Sequence, residues 1–130
     1  MLAEFRDYVK TFDVGDHFSI GKIDSSKDKS IGIYGDSNSY RIEAIGKDSK
    51  YDIANMRILV HWNKNLAETE AASKSLYEQL RYQKDFDMNN IHVHYVDLIQ
   101  GEPLFVGTDA NGIYEYVITL RIFYRRNINE

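Results

Sequence analysis

The sequence predicts an α+β fold: a mostly antiparallel sheet of about four to five strands packed against two helices, one N-terminal and one central. Three observations predict it. Two stretches gather their apolar residues on one helical side, the first at steps of three and four, the pattern of a helix buried along one face. Several runs of five to ten residues alternate apolar and polar with period two, the pattern of half-buried strands. Gly-rich or polar turns separate these runs, and at 130 residues the chain has the length of one domain with one core, read as 1–130.

In chain order, Leu2, Phe5, Val9 and Phe12 form one apolar helix face, with Glu4, Arg6, Asp7 and Lys10 around the rest and Gly15 as the stop. "FSIGKI" and "SIGIYG" then read as two strands around the polar loop Asp24–Ser30. From Gly35 to Asp52 the chain is rich in Gly, Ser, Asn and Asp and reads as a long loop with room for one short strand. "MRILVHW" is the clearest buried strand. Met56, Ile58, Val60 and Trp62 point one way, and Arg57, Leu59 and His61 the other.

Asn65 stands three residues before Glu68, the spacing of an N-cap with a reciprocal partner. The helix it opens would pack through Leu66, Ala72, Leu76 and Leu80. Glu68 and Glu70 lie at its start and Arg81 and Lys84 at its end, as the helix dipole favours. Asp85 and Asp87 fall at that helix end. "NIHVHYVDLI" returns as a strand with Ile91, Val93 and Tyr95 on one face and His92 and His94 on the other.

The only proline, Pro103, interrupts the chain before the last strand. There Tyr114, Tyr116, Ile118, Leu120, Ile122 and Tyr124 share one face, while Glu115, Thr119, Arg121 and Arg125 share the other. If straight, that strand spans about 45 Å at roughly 3.3 Å per residue. A compact chain of this length is only about 36 Å across. The strand therefore bends, or overhangs the core and offers an edge to a neighbour.

Composition excludes several functions. A net charge of −4 gives no basic surplus for sequence-independent nucleic-acid binding, though it suits a surface near DNA that must not adhere to it. Without cysteine there are no disulfides, thiolate metal sites or thiol nucleophiles, which suits an intracellular chain. "MLAEFRDYVKTFDV" carries Glu4 and Asp7 among its apolar residues, so it reads as neither signal peptide nor anchor, and no window is apolar for long enough to span a membrane. The chain is expected to be cytoplasmic at synthesis.

No motif carries a chemistry. Asp109-Ala110-Asn111-Gly112 lacks the remaining ligands of a calcium loop and the Lys-Ser/Thr ending of a phosphate loop. Asn-Gly ahead of an alternating run reads as a turn. His61, His92 and His94 would share a face and could bind zinc if their strands were neighbours. That face is opposite the apolar stripe, where a solvated histidine is ordinary, and alternation puts Asp97 on the other side. No nucleophile elbow, zinc-helix motif or dinucleotide turn is present. The expectation is no catalytic residues, no metal and no cofactor.

Three stretches, "IGKIDSSKDKSIGIY" (Ile20 to Tyr34), "ILVHWNKNLAETEAA" (Ile58 to Ala72) and "VGTDANGIYEYVI" (Val106 to Ile118), together resemble a family of phage minor capsid proteins. That family is similar to the tail-terminator, or tail-completion, proteins of long-tailed phages. The likeness runs in order over most of the chain. Residues 37–52 match only loosely, with Gly46 alone left of a glycine-rich turn.

The resemblance implies a virion structural protein, not an enzyme. Its subunits would assemble as a hexameric ring at the head-proximal end of the tail tube, contacting the tail-tube protein and the head-connector protein. DNA would pass through without specific binding, and no membrane is involved. A ring needs a heterologous interface that closes on itself. Its two sides are assigned to the edge of the last strand, with Arg121, Phe123 and Arg125, and to the loop Asp24–Ser30, with Asp24, Lys27 and Lys29. Leu104 and Phe105, in "PLFV", are assigned to docking on the tube or a neighbour. The plainer readings are core for Phe123, solvent for the loop and a buried return for Leu104 and Phe105. The alternatives are a head-completion or stopper subunit on the portal side, or a small metal-dependent enzyme built on His61, His92 and His94.

Overall fold

The computed structural model describes residues 1–35 and 52–126. Two helices, α1 (Leu2–Lys10) and α2 (Leu66–Arg81), cover one face of a curled sheet. Its strands are β1 (His17–Ile20), β2 (Ser30–Gly35), β3 (Asp52–His61), β4 (Lys84–Met88), β5 (Ile91–Leu98), β6 (Leu104–Thr108) and β7 (Tyr114–Arg126). Their order is β1-β2-β3-β7-β5-β4, with β6 also paired to β7.

The fold expected from sequence is corrected in two respects. Among the described residues the sheet has seven strands, not four to five, and it is mixed, because β1 runs parallel to β2. The extra strands are β4 and β6, each of five residues and too short to show a clear alternation. Asp85 and Asp87 accordingly lie on β4, not at a helix end. The parallel pairing follows from the segment after β1. The chain turns at Gly21 (φ +70) and crosses the sheet face away from the helices before it re-enters as β2. A Cβ on Gly32 would stand 2.7 Å from Ile23 Cγ2 and 2.9 Å from the Tyr34 ring, so only glycine lets that crossing lie flat.

The core forms where β3, β7 and β5 present their alternating apolar faces to the helices. Met56, Ile58 and Val60 meet Tyr116, Ile118, Leu120 and Ile122, and α2 adds Leu76, Tyr77 and Leu80 while α1 adds Phe5 and Val9. Asn65 caps α2 as its spacing predicts, its side chain accepting from the Glu68 N–H at 3.1 Å. The reciprocal half of the cap differs: Glu68 Oε2 accepts from Asn63 Nδ2 at 2.7 Å. Leu66, expected in the interface, is 42% exposed. Thr69 and Ser73 are buried instead, each hydroxyl satisfied by the carbonyl four residues back at 2.8 Å.

β7 neither overhangs nor ends in a free edge. β3 pairs along one side from Glu115 to Tyr124. On the other side β6 takes Tyr114 to Val117 and β5 takes Leu120 to Arg126. A single long strand thus stays inside the molecule by splitting one edge between two shorter ones. The loop expected over 37–52, with Gly46, lies outside the described residues apart from Asp52.

Candidate functional site

The turn before β7 is built by one carboxylate. Asp109 Oδ1 accepts from the N–H of Asn111 at 2.9 Å and of Ile113 at 3.0 Å. The Gly112 N–H closes on the Asp109 carbonyl at 3.1 Å, with Gly112 at φ +80. The N–H of Ile113, then that of Asn111, hold the Asp109 carboxyl below its ordinary range, with His61 and Lys64 adding to the effect against the opposing cost of burial. "TDANG" is a turn, and it has a second purpose. Its Oδ2 lies 3.7 Å from Nδ1 of His61.

His61 is fully buried, contrary to the solvated histidine the alternation suggests. Its Nδ1 lies 2.9 Å from Glu115 Oε2, its cross-strand neighbour, and its Nε2 lies 3.2 Å from the carbonyl of Ser25. Ser25 belongs to the crossing loop, so the loop covers the imidazole. Both ring nitrogens face oxygen atoms. With its two nitrogens occupied and no surface of its own, His61 serves as a rivet that ties loop, turn and sheet together.

The other two histidines do not join it. β7 lies between β3 and β5, which separates His61 from His92 and His94. A register shift between Val93 and Tyr95 also resets the alternation of β5. Val96 is buried and Tyr95 is 47% exposed, the reverse of the expected placement for Tyr95. Asp97 then reaches the face expected to lack it and pairs with Arg121, Oδ2 to Nη2 at 2.7 Å.

The residues assigned to an interface fall into three places. Asp24, Lys27 and Lys29 are exposed on the crossing loop. The Ser26 hydroxyl and N–H on Asp24 Oδ1, at 2.6 and 3.1 Å, hold the Asp24 carboxyl below its usual range, and the Lys29 ammonium stands 5.9 Å from the Trp62 ring centre. Arg121, Phe123 and Arg125 lie within the sheet. Phe123 is 8% exposed and stacks on Tyr95 at 4.4 Å, and Arg121 is 6.0 Å from the Phe123 ring centre.

Leu104 and Phe105 form the third place, together with Val106, the last residue of "PLFV". The three are 49%, 48% and 49% exposed. β6 is paired on one side to β7 and, among the described residues, to no other strand. A register shift between Phe105 and Gly107 leaves Val106 between paired positions, and Phe105 leans on Tyr116 with ring centres 5.3 Å apart while half of it stays open. Beside it Glu70, Lys74, Glu102, Pro103 and Tyr116 line a cleft of about 300 Å³. Burial, and then the neighbouring Glu70 carboxylate, push the Tyr116 hydroxyl up, so it stays neutral and able to donate.

Among the described residues no helix is long and apolar enough to cross a membrane. A family model described as bacteriophage tail terminator protein matches residues 8–126. Among solved structures the chain is similar to the gp17 protein of bacteriophage SPP1, at 17% identity over 98% of this chain and 87% of that one, with a TM-score of 0.41. Comparison with curated proteins gives no match.

Proposed function

The chain belongs to the bacteriophage tail terminator family, and from that membership we propose that it acts as one domain, 1–130, whose copies close into a ring, six to the turn, at the head-proximal end of the tail tube. The ring stops tube growth and offers the head connector a landing surface, while DNA passes through without specific binding. The role is structural and not enzymatic, carried out in the virion after assembly in the host cytoplasm.

The observation that carries the reading is the open strand β6 with Leu104, Phe105 and Val106 exposed. An unpaired apolar edge strand is normally blunted by charge or cover, and an assembling subunit is where leaving it open serves a purpose. In the ring it would pair with a neighbouring copy, with the crossing-loop residues Asp24, Lys27 and Lys29 on the opposite side of the heterologous contact. This replaces the edge of β7, which is already occupied. Arg121 and Arg125 would then present a surface on the sheet face, with Phe123 buried against Tyr95. The three β6 side chains are too few alone, since a stable interface buries upward of about 1,000 Å², so strand pairing and the loop must share it.

Deleting the gene from its phage and viewing lysates by electron microscopy tests the role. Tails of uncontrolled length without heads are expected. Normal tails beside full, unattached heads would move the chain to a stopper role, and intact infectious particles would overturn both. The double variant Leu104→Ser, Phe105→Ser is expected to melt at the wild-type temperature while failing to rescue tail length. Full rescue would remove β6 from the interface.

A further inference from the structure

We propose that the β4–β5 hairpin carries a zinc site formed by Asp85, His92 and His94, with Asp87 orienting His92. The hairpin turns tightly at Asn89-Asn90, with Asn89 at φ +54, and pairs Met88 with Ile91, Asp87 with His92 and Phe86 with Val93. Its inner side chains, Met88, Ile91 and Val93, are buried in the core, which fixes the outward direction of the alternating acids and imidazoles.

The local irregularities bring the ligands together. Pairing resumes at Lys84 with Tyr95, so Asp85 and His94 stand opposite one another between paired positions. Asp85 is twisted to φ +50, and His94 sits at the register shift in β5. One ligand atom from each of Asp85, His92 and His94 lies within 4.8 Å of the others, and His92 Nε2 is 3.9 Å from Asp85 Oδ1. Ligand bonds of about 2.0–2.2 Å need the three to close only modestly.

The second observation is the Asp87 carboxylate, 2.8 Å from His92 Nδ1. A metal-ligating imidazole ordinarily donates its other N–H to a carboxylate, which fixes the tautomer and makes the free nitrogen a better donor. Asp87 places that nitrogen, Nε2, on the side of Asp85. Two imidazoles and one carboxylate suit zinc over magnesium or calcium, which prefer oxygen alone. The two carboxylates offset the charge of Arg125, the register partner of His92 on the neighbouring strand β7. Three protein ligands leave a fourth position for water. The site stands independently of the ring reading, since it uses neither β6 nor the crossing loop.

Zinc titration against a chromophoric chelator, with thermal melting in parallel, tests it. Wild-type protein is expected to take one zinc per chain and to melt at a higher temperature when loaded. His92→Gln and His94→Gln should each abolish both effects, Asp87→Asn should weaken binding about 10- to 100-fold, and His17→Gln should change neither. Asp85→Asn, an exposed substitution that spares the fold, should also lose the site. The proposal fails if wild-type protein does not compete with the chelator, or if folded variants at 85, 92 or 94 keep wild-type affinity.

Discussion

His61 and His92 both lie on the sheet face turned away from the helices, and both place Nδ1 against a carboxylate, at 2.9 Å from Glu115 and 2.8 Å from Asp87. Their surroundings separate them. Nε2 of His61 meets a carbonyl under the crossing loop and the ring is fully buried. Nε2 of His92 points toward a second carboxylate and another imidazole at the rim of the sheet. One histidine is spent on holding three segments together; the other keeps a free coordinating position. The difference lies in what covers the strand, not in the residues on it, so histidine spacing alone does not distinguish a rivet from a ligand.

Removing the rivet should have the largest effect. His61→Leu leaves the Glu115 carboxylate and the Ser25 carbonyl without their partner, and a loss of about 2–4 kcal/mol in urea unfolding is expected. Glu115 retains some water access, with 19% of its side chain exposed, which keeps the figure below that of a wholly buried broken pair. His61→Gln should lose less. A change under about 0.5 kcal/mol, typical of ordinary surface positions, would mean that the loop does not depend on this contact.

Gly32→Ala attacks the same assembly from the loop's side. The added methyl would sit 2.7 Å from Ile23 Cγ2, so the crossing must lift, at a cost of about 1–3 kcal/mol. Faster amide exchange at residues 23–29 should accompany the loss; unchanged exchange there would show that the Ile23 side chain gives way without moving the backbone.

The smallest effect concerns acid. The Asp109 carboxyl titrates below its unfolded value, so the unfolded chain binds its proton first. Its contribution is complete above the ordinary carboxylate range and is lost as pH falls through the depressed folded value. Melting scans from pH 6 downward should show the wild-type advantage over Asp109→Asn shrinking with acidity. An advantage that persists unchanged at the acid end would remove Asp109 from the acid response.

The parts of the fold legible in sequence are those where one local rule suffices. The Asn65 cap, the Met56–Val60 stripe and the Tyr116–Ile122 stripe each follow from spacing within one element. What escaped depends on other segments. β4 reads as the fraying end of α2 because only Phe86 and Met88 face inward, although Asn89-Asn90 ahead of "IHVHYV" is a usable hairpin signal. Tyr95 and Asp97 are misplaced by a register shift that strict alternation cannot show. His61 looks solvated because its cover comes from residues more than thirty positions earlier. Leu104 and Phe105 were identifiable as candidates, but their openness depends on which strand stops beside β7.

The position of β7 also governs when the molecule can exist at all. The last of the seven strands lies in the middle of the sheet, and its pairing of Tyr124 with Asp52 closes 72 residues of chain. On the ribosome, β3 and β5 have no common neighbour until residue 126 has left the exit tunnel. Folding of this sheet therefore waits for β7, and such distant pairing is slow. For a subunit with an open apolar strand, that order means β6 gains its own partner only once β7 has been made, so the edge is presented by a sheet that is already closed through its middle.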